Sequence, residues 1–197
     1  MRYPIGVQSF EKLRSDGYTY IDKTDIVYRL AQKTVCFLCR PRRFGKSLLI
    51  STLEAYFRGK KELFEGLKME ALEQEWKAYP VLHIDFANEN YHDKESLRTK
   101  INKHLMHWEK EYGAEPYSET IGSRFQYIIA QAHKKTGNRA VVLIDEYDKP
   151  MLDTLDTPLE QEHREVLKEL YSTFKACDDD LRFVMLTGVT KFSQVSV

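Results

Sequence analysis

Apolar positions recur along the chain with two periods, and the two alternate. Short runs rich in β-branched and aromatic residues read as strands at 35–39 (VCFLC), 81–86 (VLHIDF), 140–144 (AVVLI) and 182–186 (RFVML). Leu82, Ile84 and Phe86 share one face of the second run. The third is apolar without a break, the pattern of a strand buried on both faces of a parallel sheet. Between these runs the period is helical. Leu48, Leu49, Ile50 and Leu53 open a helix reaching about Arg58, where Gly59 can take a left-handed cap. Leu63, Phe64, Leu67 and Leu72 predict a short helical connection. Leu97, Ile101, Leu105, Trp108 and Tyr112 form one stripe of a long helix ended by Gly113. Phe125, Ile128, Ile129 and Ala132 mark another, ended by Gly137. Pro158 starts a third, with Val166, Leu167, Leu170 and Phe174 on its buried side, before a solvated turn at Asp178-Asp179-Asp180.

Strands alternating with helices predict an α/β sandwich. Right-handed crossovers make the sheet parallel and place helices on both faces. Ligand then binds at the carboxyl ends of the strands. Residues 1–31 read as a leader on a core of 32–197. In it, 18–21 reads as a short strand, and Asp22 or Thr24 can cap a helix with Ile26, Val27 and Leu30. The leader covers a flank of the core or forms one wall of a base pocket.

Composition narrows the function classes. Thirty Lys and Arg balance thirty Asp and Glu in 197 residues, so bulk charge argues for neither nucleic acid nor membrane. The start of the chain leads into no signal-like apolar stretch, and no run approaches a membrane span. Three cysteines suggest a reducing, cytoplasmic compartment. Cys36 and Cys39 spell C-x-x-C, but on a strand they point to opposite faces, which disfavours a redox or zinc role. His104 and His107 share a helix face without a carboxylate at ligand spacing, and read as solvated surface.

The chemistry gathers where strands end. After 35–39 come Arg40, Pro41, Arg42, Arg43, Phe44, Gly45, Lys46, Ser47 and Leu48. Strand, loop, then Gly-Lys-Ser opening a helix is the context of a phosphate-binding loop. Its amides and helix N-terminus favour phosphate oxygens. Residues 42–48 form the candidate cradle: Lys46 reaches the β/γ-phosphates and the Ser47 hydroxyl sits on Mg²⁺. Arg40 stands where the signature has its first glycine. At the end of 140–144, Asp145 is the candidate second Mg²⁺ ligand and Glu146 the base that deprotonates the attacking water. Thr187 is either a γ-phosphate sensor or a plain strand-end threonine. Asp148 and Lys149 read as a surface pair.

RPRRFGKSLL, LIDEYDKP and LTGVTKFSQVS, with PIGVQSFEKLRSDGYTYIDKT and YPVLHIDF, resemble the predicted AAA-ATPase-like family of bacterial proteins. The resemblance spans essentially the whole chain. It implies a P-loop NTPase fold with sheet order (5)-1-4-3-2, and ATP and Mg²⁺ as ligands. It also implies a C-terminal domain resembling a PD-(D/E)XK nuclease in many members. By that analogy the chain stops before its fifth strand. The strand at 35–39 should then be an open edge prone to self-association, and nucleic acid would be met only through a domain not contained in these residues.

Four readings follow: an ATPase that drives or switches an attached module, a nucleotide-gated scaffold with little turnover, a small-molecule kinase, and a GTPase. The kinase lacks an evident acceptor pocket and basic lid. The GTPase reading rests on Thr190-Lys191-Phe192-Ser193, where Ser193 replaces the guanine-reading aspartate.

Overall fold

The structure is a computed structural model that describes residues 2–117 and 119–191. In chain order its elements are α1 (Phe10–Ser15), α2 (Thr24–Ala31), β1 (Val35–Cys39), α3 (Lys46–Phe57), α4 (Lys68–Leu72), β2 (Val81–Asp85), α5 (Ser96–Tyr112), α6 (Ile121–Thr136), β3 (Ala140–Asp145), α7 (Lys149–Asp153), α8 (Pro158–Ala176) and β4 (Leu181–Gly188). Single turns of tighter helix cover Lys61–Phe64 and Asp178–Asp180. The four strands form one parallel sheet in the order β1-β4-β3-β2. Helices cover both faces, so the α/β sandwich expected from the alternating periods is present.

The period-two alternation sorts each strand between two cores. Leu82, Ile84, Val142, Ile144, Val184 and Leu186 face α5, α6 and α8. Val81, Val141, Leu143, Phe183 and Met185 face the other way, onto the layer of α1–α4. The α5 stripe is buried as its spacing predicts: Leu97, Ile101, Leu105, Trp108 and Tyr112. Truncating one such leucine to alanine costs about 2–5 kcal/mol through lost transfer energy and a cavity. Gly59 and Gly137 take left-handed conformations just past α3 and α6, as their positions predict.

The leader contributes to the second core through Phe10, Val27 and Ala31, alongside Ile50, Leu53 and Phe57. Two backbone amides of α4 tie it down: the Lys68 amide donates to Asp22 (2.8 Å) and the Met69 amide to the Thr24 hydroxyl (3.0 Å). Asp22 also accepts from the Thr24 amide (2.9 Å), though the residue capping α2 is Lys23.

Three local expectations are corrected. Residues 18–21 are not a strand. They are held instead by isolated bonds such as Thr19 N–H to the Arg2 carbonyl (2.8 Å), because no neighbouring strand presents a ladder to them. His104 is not solvated. It lies half-buried against Trp108 (5.5 Å between rings), and burial, with Lys100 and His83 adding, lowers its pKa to about 4; His107 is exposed. The third correction, at Asp148, belongs to the site.

Candidate functional site

Chain entry into α3 builds the candidate phosphate loop. Gly45 caps α3 at φ 74°, a left-handed conformation that costs glycine little. Arg43 adopts φ 68° without that freedom; one such residue costs about 1–3 kcal/mol. The loop therefore bends back over the start of α3, whose first amides have no carbonyl a turn earlier. Lys46, the first residue of the helix, is 5% exposed. Its ammonium donates to the Pro41 carbonyl across the loop (3.3 Å). Ser47 and Leu48 are half-buried beside it, while Arg42, Arg43 and Phe44 stand exposed on the rim.

The acids come from the neighbouring strands. Asp85 and Asp145 are partners in the β2–β3 register, and Ile144 is paired with Leu186, so Thr187 lies one step on, beside Asp145. Asp145 follows Val141 and Leu143, and Thr187 follows Phe183 and Met185, so both fall on the face covered by α3. Asp145 is 4% exposed and Thr187 wholly buried. The Thr187 hydroxyl donates to Asp145 Oδ1, which also accepts from the Glu146 amide (3.1 Å). Thr187 lies inside β4 rather than after it, and its hydroxyl holds Asp145.

Glu146 takes φ 51° at the point where β3 ends. A left-handed glutamate marks strain retained at the strand end. Burial, and then the adjacent Asp145 carboxylate, push its carboxyl above the ordinary glutamate range. Lys46 pulls it back, Asp85 adds to the rise and Arg42 opposes it. Charges from β2, β3 and the loop before α3 thus act on one carboxyl group.

The donor set suits Mg²⁺. The Ser47 hydroxyl and the Asp145 carboxylate are hard oxygen donors. Among the described residues no cluster of three or more His, Cys, Asp or Glu could hold a metal alone. A small cation held by these two groups would draw its other ligands from phosphate and water, the usual arrangement for Mg²⁺.

A groove of about 570 Å³ runs beside the loop, between the leader and β1. Tyr3, Pro4, Ile21 and Ile26 line one side, Phe44 and Leu48 the other.

Comparison with known proteins identifies the family of the chain. The model of a family described as "Predicted AAA-ATPase" matches residues 4–197. The chain belongs to this family. An "Uncharacterized protein in vnfD 5'region" of Azotobacter chroococcum mcd 1 is 43% identical over 199 residues, covering 100% of this chain and 39% of the relative. The chain thus spans about two-fifths of the length of that relative. No solved structure matches. Membership of a predicted ATPase family points to nucleotide binding.

For this family member, spacing missed three residues. Asp85 was visible as the last residue of VLHIDF, but its place beside Asp145 depends on strand order. Asp148 is corrected outright: it is 1% exposed and does not pair with Lys149, which bonds Asp153 within α7. Its Oδ2 accepts from the Val189 amide (2.7 Å), the Thr190 amide (2.7 Å) and the Thr190 hydroxyl (2.8 Å). The Tyr147 hydroxyl donates to the Thr190 carbonyl (2.9 Å). Cys36 and Cys39 are free thiols on opposite faces of β1. Phe192 and Ser193, on which the guanine reading rests, lie outside the described residues. Among the described residues no helix is long and apolar enough to cross a membrane.

Proposed function

We propose that this chain binds Mg·ATP at the carboxyl edge of the sheet and hydrolyses it, driving or switching a module attached elsewhere in the protein. The observation that carries this reading is the convergence at one sheet edge of a buried Lys46, a buried Asp145 held by Thr187 beside Asp85, and Glu146 in a left-handed turn next to them. A surface acid pair has no reason to meet a buried lysine there.

In this reading the phosphates displace the Pro41 carbonyl as the partner of Lys46. The amides of residues 42–48 complete the cradle. Ser47 and Asp145 hold Mg²⁺, which when bound neutralises charge on the phosphate oxygens. Thr187 keeps Asp145 oriented. Glu146, with its raised proton affinity, takes the proton of the attacking water. The adenine ring lies in the groove, with the leader as one wall. Catalysis is then chiefly positioning and charge stabilisation.

The test pairs calorimetric titration of Mg·ATP with phosphate release, in wild type and in Lys46→Ala. Binding lost with Lys46 and turnover in wild type support the reading. Tight binding without phosphate release turns it into a nucleotide-gated scaffold. Affinity unchanged in Lys46→Ala removes the loop from the site. The groove is tested separately: Ile26→Glu should weaken ATP but leave tripolyphosphate binding as it was.

A further inference from the structure

The segment 145–148 is bound to the segment 187–190 at three of its four residues. Asp145 accepts from the Thr187 hydroxyl. The Tyr147 amide donates to the Thr187 carbonyl (2.9 Å), and its hydroxyl to the Thr190 carbonyl (2.9 Å). Asp148 takes three donors from Val189 and Thr190 on one oxygen. The remaining residue is Glu146, in the left-handed conformation.

Asp148 stands at the N-cap of α7, where an aspartate ordinarily accepts from its own helix. Its side chain makes no such bond there. The carboxylate instead reaches across to the end of β4. Gly188 shows how close the two segments are. A Cβ on Gly188 would lie 2.5 and 2.7 Å from the Tyr147 ring and 2.8 Å from Asp148 Cγ. No larger residue fits without moving the pair.

We infer that Asp148, with Tyr147, is a positioning residue that latches the end of β3 to the end of β4 and thereby sets where the Glu146 carboxylate stands. Residues on either side of Glu146 are fixed to β4, so its backbone has no freedom to relax to an ordinary strand-end conformation. Because Thr187 and Val189–Thr190 belong to the same hydrogen-bonded body, any shift of the chain leaving β4 is transmitted to the base. This inference rests on the reading of Glu146 as the base in hydrolysis.

The experiment is steady-state hydrolysis and Mg·ATP titration in the full-length protein, with Asp148→Ala, Asp148→Asn and Gly188→Ala beside wild type. Small misplacement of a catalytic group lowers rate far more than affinity. Asp148→Ala should lower kcat about tenfold or more, with KM and the titrated affinity within about threefold. Asp148→Asn keeps an oxygen for the same donors and should recover most of kcat. Gly188→Ala should reproduce the alanine loss without removing any charge. If the alanine variant does not fold, the asparagine and Gly188→Ala pair decides. Unchanged kcat in Gly188→Ala, or equal losses in kcat and affinity in every variant, overturns the latch. Binding of Mg·ATP by wild type without phosphate release overturns the hydrolysis reading itself and takes the latch with it, an outcome read from wild type alone.

Discussion

β1 and β3 both end in the site, and they are held in opposite ways. β3 lies between two neighbours and is buried at every residue. Among the described residues β1 is an outer strand of the sheet, with Val35 and Phe37 still 49% and 42% exposed. The acids at the end of β3 are held in place before any ligand arrives: Asp145 by Thr187, and the backbone on either side of Glu146 by β4. The loop at the end of β1 is tied down more weakly. Its lysine is satisfied by a loop carbonyl, and Arg43 is strained. In the proposed reading, the half assigned the chemistry is pre-organised, whereas the half assigned the phosphates is free to adapt. Rigid placement matters most where a proton moves, because misplacement there costs rate. Adaptable placement suffices where several amides share a polyanion.

The largest effect expected from this contrast is on turnover. Glu146→Gln keeps shape and loses the base, so phosphate release should fall about a hundredfold or more while Mg·ATP still binds. Full turnover in this variant would erase the division of labour. Asp145→Asn should fail differently, by weakening the dependence on Mg²⁺ itself, as a magnesium titration of phosphate release would show.

Next in size is the loop. Lys46→Ala removes a charge-assisted contact of about 1.5–3 kcal/mol, or roughly ten- to a hundredfold in affinity. Calorimetric titration measures it.

The raised carboxyl of Glu146 makes a smaller effect whose sign can be worked out. Folding disfavours the ionised form, so its contribution to stability is complete below the ordinary glutamate range and is lost as pH rises through the higher folded value. Glu146→Gln should therefore raise the thermal midpoint at neutral pH, with the difference vanishing in acid. A thermal midpoint that falls in the variant at pH 7 contradicts the assignment.

The smallest effect is kinetic protection. Amides of β1 should exchange faster than those of β3 in the free protein, and Mg·ATP should slow β1 more than β3. Equal protection in both strands without nucleotide would mean that the exposed edge is no looser than the centre. An outer strand with exposed apolar residues is also a template for pairing. Phe37→Lys should reduce any concentration-dependent association seen by sedimentation.

What the chain alone determines is the local grammar. Alternation and helical stripes depend on neighbours within a few residues, so β1–β4 and the buried faces of α3, α5, α6 and α8 were legible before any tertiary contact was known. Gly45-Lys46-Ser47 after a strand and Asp145-Glu146 after a buried run were legible for the same reason, since each motif is contiguous. Residues 18–21 show the limit of that reading: β propensity is present, but a strand exists only if another strand offers its backbone. His104 shows another, because burial of an apparently surface face depends on what packs beside it. That β4 separates β1 from β3 was expected from the family resemblance and is borne out, though no periodicity implied it; tertiary structure decided that Asp85 stands beside Asp145. It also turned Asp148 inward to bind Val189 and Thr190. These contacts join residues tens of positions apart, and no periodicity within either segment encodes the distance between them.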